Sequence, residues 1–151
     1  SKTFSMAGWR IGFACGNADA VAALLAFKSN VDSGTFIAVQ RASAVALANV
    51  ESFAAPLRER YRARLEILAG GLLAAGAPLR RPEATFYLWV RVPEGTDSIG
   101  FAKRLLDEVG IVATPGVGFG KSGEGFVRMS LTAPEERLEE AAERFARMRW
   151  R

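Results

Sequence analysis

Apolar and polar positions change rhythm along the chain. Residues 9–16 are almost unbroken apolar between glycines, which predicts a buried strand. Asn17 follows and can cap a helix over Ala18–Lys28, a stretch rich in alanine and leucine. Residues 30–34, Asn-Val-Asp-Ser-Gly, are turn formers and predict a loop. A second helix, rich in alanine and valine, is expected over about 36–50. From Ser52, a candidate cap, the stripe Phe53, Leu57, Tyr61, Leu65, Leu68 and Leu72 advances mostly in steps of four, so a long helix with one buried face is expected. Pro56 is tolerable in the first turn of such a helix. Gly70-Gly71 should weaken its end, and Gly76 should stop it.

Beyond Gly76 the period shortens. Residues 79–82 make a short edge strand at best. Residues 84–92, with Phe86, Tyr87, Trp89 and two valines, predict a strand. Asp97 can cap a helix over Ser98–Val109, with Gly110 just past its end. Short strands are expected at 111–113 and 126–131. Thr132-Ala133-Pro134-Glu135 has the form of a capping box and opens a last helix over 133–147. The expected fold class is α/β in three pieces: residues 1–50, a connecting helix over 51–76, and a small α+β domain over 77–151. The first piece offers one strand and two helices, too few to close a layer. The chain is therefore expected to be part of a longer protein.

Composition narrows the chemistry. The chain has 151 residues, enough to bury a core. No apolar run reaches the length of a membrane span. Twenty basic and sixteen acidic residues are intermixed, as in Arg58-Glu59-Arg60, instead of forming the one-sided basic stripe of a nucleic-acid surface. One cysteine cannot form an internal disulfide, which points to a reducing, cytoplasmic setting; Cys15 is expected to be a small core residue. There is no histidine, so Ser-His and Cys-His pairs and most zinc sites are excluded. Acid–base chemistry falls to lysine, tyrosine or carboxylates.

Four stretches carry candidate chemistry. The first is Ser1-Lys2-Thr3-Phe4-Ser5-Met6-Ala7-Gly8-Trp9-Arg10-Ile11-Gly12. It offers an amine, Lys2, that Schiff-base chemistry could use, with a guanidinium, Arg10, eight residues on. The second is Arg128 within Phe126-Val127-Arg128-Met129-Ser130, a charge in an apolar strand that needs water or a partner. The third is residues 115–122, Pro-Gly-Val-Gly-Phe-Gly-Lys-Ser. Its Gly-Lys-Ser end suggests a phosphate loop, but Pro115 stands where the Walker spacing needs glycine and no helix is expected to follow. The fourth is the loop Lys28-Ser29-Asn30-Val31-Asp32-Ser33-Gly34.

Together these residues resemble the class I aminotransferases, fold-type I enzymes that use pyridoxal phosphate. The resemblance covers essentially the whole chain and implies that it is the C-terminal part of such an enzyme, with residues 1–50 the tail of the large cofactor-binding domain, 51–76 the connecting helix and 77–151 the small domain. It implies that Lys2 carries the cofactor, that Ser1 and Arg10 hold its phosphate, and that Arg128 forks onto the substrate α-carboxylate. It also implies that Asn30 approaches the active site of the partner subunit in a homodimer, and that residues 115–120 lie beside the substrate entrance. The implied substrates are an amino acid and a 2-oxo acid. Residues 28–34 with Gln40, residues 84–89 and residues 123–128 are similar to the subfamily acting on LL-diaminopimelate with 2-oxoglutarate, in lysine biosynthesis. Alanine and aspartate aminotransferases share much of this pattern. Acidic-substrate members carry an arginine shortly before the Ser-Asn pair; residues 24–28 here hold none, against an aspartate-type clamp. The family's remaining cofactor-binding groups precede the lysine and map to no residue here. The rival from another class is a non-catalytic α/β interaction module.

Overall fold

The computed structural model describes residues 1–150. They form two compact units, Ser1–Glu59 and residues 60 onward, which part within one long helix.

The first unit opens with two 3-10 turns, Lys2–Phe4 and Ala7–Trp9. Helices α1 (Ala18–Lys28) and α2 (Ile37–Ala48) follow, then the start of α3 (Val50–Ala74). Asn17 caps α1 as its chemistry suggests, its side chain accepting from the Ala20 amide at 3.1 Å. The expected strand over 9–16 is absent. Among the described residues no strand pairs with this segment, which is mostly exposed and leaves its N–H and C=O groups to water. Cys15 is accordingly exposed, not a core residue. Large apolar side chains of this unit also stand exposed, including Phe13, Phe27 and Phe36.

Helix α3 starts at Val50, before the expected cap. Ser52 instead turns its hydroxyl back to the Asn49 carbonyl at 3.0 Å. Pro56 therefore lies beyond the first turn, inside the helix. At the other end the helix runs through both Gly70 and Gly71. The stop at Gly76 is as expected: Gly76 is left-handed at φ 81°. The Gly76 amide donates to the Leu73 carbonyl and the Ala77 amide to that of Leu72, both at 3.0 Å. Those two bonds satisfy carbonyls the helix end would otherwise leave open.

The second unit is a three-stranded antiparallel sheet in the order β1-β3-β2, with β1 Tyr87–Arg91, β2 Thr114–Pro115 and β3 Phe126–Ser130. Helices α4 (Ser98–Val109) and α5 (Glu135–Arg147) complete it, together with the end of α3. Leu88, Val90, Val127 and Met129 alternate inward and are buried. Their core includes Leu68 and Leu72 of α3, Phe101 and Leu105 of α4, and Leu138 and Phe145 of α5. Glycine is required at one place in this packing: a Cβ on Gly71 would fall 2.4 Å from the Ala142 Cα of α5.

Several elements differ from expectation in extent. Strand β1 begins only at Tyr87, because Thr85 adopts φ 76° and breaks extended pairing. Residues 79–82 contribute one isolated bridge, Leu79 to Val90. The expected strand at 111–113 is shifted to Thr114–Pro115, where β3 supplies the pairing. Helix α4 matches expectation, capped by Asp97 and closed by left-handed Gly110. Helix α5 starts at Glu135 with Pro134 as cap residue and no side-chain cap bond. Thr132 does not form the capping box, because its hydroxyl pairs with that of Ser130 at 2.8 Å.

Candidate active site

Ser1, Lys2 and Arg10 lie on one short, turn-built segment. Lys2 is in the first 3-10 turn and exposed. Ser5 and Arg10 both sit in the left-handed region, at φ 53°, and reverse the chain after each turn. The turns are closed by the Met6 amide donating to the Ser1 carbonyl at 2.8 Å and the Trp9 amide to the Met6 carbonyl at 3.1 Å. Arg10 donates from Nη1 to the Ala7 carbonyl at 3.0 Å and is otherwise exposed. Among the described residues no carboxylate reaches ion-pair distance of Lys2 or Arg10. This segment therefore presents an amine, a guanidinium and a hydroxyl, the donor set an aldehyde-bearing phosphate ester calls for.

Asn30 lies in the turn after α1, exposed, with its amide Nδ2 donating to the Ala26 carbonyl at 2.8 Å. The turn is held by the Lys28–Asp32 pair, at 2.6 Å to Oδ2, and by the Gly34 amide donating to Asp32 at 2.9 Å. The Lys28 ammonium, and secondly the Gly34 N–H, hold the Asp32 carboxyl below its ordinary pKa.

In the second unit Arg128 sits on the central strand, level with Trp89 of β1 and Thr114 of β2. These three project on the face opposite the core. The guanidinium carbon lies 4.1 Å from the ring centroid of Tyr87 and 4.2 Å from that of Phe119. Trp89 meets Phe119 edge-on at 5.4 Å and Phe126 at 6.2 Å. Among the described residues neither an acceptor nor a carboxylate meets the Arg128 N–H groups. The charge is thus stacked against aromatic surface while its hydrogen-bonding edge is open.

Phe119 comes from a 3-10 turn, Gly116–Phe119; a second such turn, Lys121–Gly123, followed by β3, stands where a phosphate-loop helix would begin. The first turn is tied down at two points. A Cβ on Gly116 would fall 1.9 Å from the Gly123 carbonyl oxygen, so the backbones touch where only glycine fits. Ser98, fully buried at the start of α4, accepts from the Val117 amide at 3.4 Å and donates to Glu124 at 2.9 Å. Glu124 also accepts from the amides of Ser98 at 2.7 Å and Gly125 at 2.8 Å. Those donors, the Gly125 amide first, hold its carboxyl below its ordinary pKa. Sequence reading found Arg128 but neither the ring pair nor the Ser98–Glu124 tie. The strand alternation that puts Tyr87 and Trp89 on one face was legible; the register bringing that face to Arg128 was not.

A concavity of about 390 Å³ beside the last turns of α4 and α5 is lined by Glu108, Val109, Arg144, Arg147 and Met148, none of them singled out above. Among the described residues no cluster of metal-ligating side chains forms, and no helix is long and apolar enough to cross a membrane.

The family model for aminotransferase class I and II matches residues 1–145. The chain is 52% identical over 149 residues to an LL-diaminopimelate aminotransferase of Aquifex aeolicus, covering 99% of this chain and 38% of the relative. It is 51% identical over 148 residues to an LL-diaminopimelate aminotransferase of Nitratidesulfovibrio vulgaris, again 38% of that protein. The chain thus spans little more than a third of the length of these relatives. Among solved structures, an aromatic aminotransferase from Pyrococcus horikoshii superposes with a TM-score of 0.89 at 33% identity, covering 97% of this chain and 40% of that one. The aspartate aminotransferase from Thermus thermophilus with maleate gives 0.87 at 37% identity, covering 96% and 38%.

Proposed function

The chain belongs to the class I and II aminotransferase family, and from that premise we propose that the protein carrying it moves an amino group between an amino acid and a 2-oxo acid. The preferred donor is LL-diaminopimelate and the acceptor 2-oxoglutarate, a reaction of lysine biosynthesis. Two relatives near half identity bear that activity in their names, and residues 24–28 offer no arginine for an aspartate-type side chain. The protein acts as a cytoplasmic homodimer. Aromatic and aspartate aminotransferases among the structural neighbours favour a second reading, the same reaction with another donor.

The residues divide the work. Pyridoxal phosphate, when bound, supplies the electron sink that stabilises negative charge at the substrate Cα. Arg10 and the Ser1 hydroxyl bind its phosphate, and the open donors of Arg10 support that role. Lys2 would hold the cofactor through its Nζ, and that amine, when free, would carry the proton from the substrate Cα to the cofactor side. Asn30 reaches the partner's site from the turn after α1. Arg128 takes the α-carboxylate in a two-pronged hydrogen bond. That last role carries the proposal: an arginine on a rigid strand, stacked on rings and with its donor edge open, is arranged for a planar anion.

The test is a coupled assay of the purified full-length protein, since residues 1–151 alone are expected to be inactive, with LL-diaminopimelate and 2-oxoglutarate, following glutamate. Glutamate formation with that donor preferred supports the assignment. Preference for aspartate, alanine or an aromatic donor selects the second reading. No glutamate from any donor, with cofactor present, leaves the non-catalytic module.

A further inference from the structure

Carboxylate binding by arginine usually carries an ordering cost, because the side chain is long and has several rotatable bonds. Here much of that freedom is already removed. The guanidinium lies about equally close to two rings that come from different elements, Tyr87 on β1 and Phe119 in the turn after β2. Each ring is itself held. Tyr87 belongs to a paired strand, opposite Ser130, and packs on Phe86 at 4.6 Å. Phe119 is braced by Trp89, and its turn is fixed by the Gly116–Gly123 contact and by Ser98. Rings contact the faces of a guanidinium, whereas carboxylates bind its N–H edge, so the two interactions do not compete.

We propose that Tyr87 and Phe119 are positioning residues whose rings hold Arg128 in its anion-receiving pose before substrate arrives. This rests on the reading of Arg128 as the α-carboxylate ligand. It adds that substrate affinity is set partly by two residues that need not touch the carboxylate, and that the turn over 116–119 is where this can be tuned.

The experiment uses the full-length holoenzyme and two readouts. The first is NMR of arginine-labelled protein without substrate. Ring currents should move the Arg128 side-chain signals upfield, and Phe119→Leu and Tyr87→Leu should each return them part of the way. The second is kinetics on an amino acid and on the matching primary amine without its α-carboxylate. Each leucine variant should lose about three- to tenfold in kcat/KM on the amino acid, mainly through KM, the scale of one ordered side chain. The amine should be unaffected, and Tyr87→Phe and Phe119→Tyr should behave as the parent. Equal losses on both substrates would make the rings merely structural and overturn the proposal. An unshifted Arg128 signal in the parent would overturn it as well. Arg128→Lys separates the two levels. If it loses amino-acid activity while the leucine variants do not, the carboxylate role stands and the positioning role falls. If it loses nothing, both fall.

Discussion

Two adjacent glycines in α3 should respond oppositely to the same substitution. Gly70 and Gly71 are both helical, and alanine at either gains about 0.5–1 kcal/mol from backbone entropy alone. At Gly70 a Cβ meets no heavy atom within 4 Å, so that gain should appear undiminished. At Gly71 the Cβ would sit 2.4 Å from the Ala142 Cα, 2.6 Å from its carbonyl oxygen and 2.7 Å from its Cβ. These are mostly backbone atoms and cannot rotate away. Helix α5 must retreat by about 1 Å to reach ordinary contact, thinning the layer that holds Leu138 and Phe145, an overpacking cost of about 2–3 kcal/mol. Net of the helix gain, Gly71→Ala should destabilise by about 1–2 kcal/mol. The two variants should then differ by about 2–3 kcal/mol, read as opposite displacements of the denaturant midpoint at constant m-value, or in exchange of the α3 and α5 amides. If Gly71→Ala matched Gly70→Ala in raising the midpoint, the two helices would not approach as closely as described.

Three further outcomes are expected. Arg128→Lys keeps the charge but loses the fork, so kcat/KM should fall by about two orders of magnitude, roughly 3 kcal/mol, with cofactor binding intact; unchanged kcat/KM for every donor would remove Arg128 from the site. In the full-length protein Lys2→Ala should abolish both borohydride fixation of the cofactor and nearly all transamination, and cofactor still fixed by reduction would exclude Lys2 as its attachment point. Glu124 has a folded-state pKa below its ordinary value of 4.5, so its contribution to stability is complete above that value and is lost as pH falls through the depressed one. Glu124→Gln cannot accept all three hydrogen bonds, so its unfolding curve should be flatter on the acid side, and superposable acid-unfolding curves would contradict the Ser98–Glu124 tie.

Local signals were legible where they were self-contained. Asn17, Asp97 and Gly110 delimit helices through side chains or backbone angles that need no distant partner. The strand expected at 9–16 failed because apolar composition says nothing about what will pair with it. Thr132 failed as a cap because a hydroxyl two residues back, Ser130, competed for it. Gly71 was read for its helix propensity, while its packing against Ala142 depends on a residue far along the chain. In the candidate site Arg128 stood out as a charge within an apolar strand, whereas Lys2 and Arg10 stood out only through the resemblance of their segment to a known family. The aromatic contacts on Arg128 did not, because they depend on register and on a turn from another segment.

The sheet writes its two duties on alternate residues. Along β1 and β3, Leu88, Val90, Val127 and Met129 build the core, while Tyr87, Trp89 and Arg128 face the other way. Selection can therefore rework the outward set by point substitution without disturbing the inward set. Gain or loss of a single residue in either strand is a different matter. It would turn the remaining side chains over, placing a guanidinium in the core and a leucine on the outward face. These strands should accordingly drift in spelling between descendants but not in length, with insertions confined to the loops that join them.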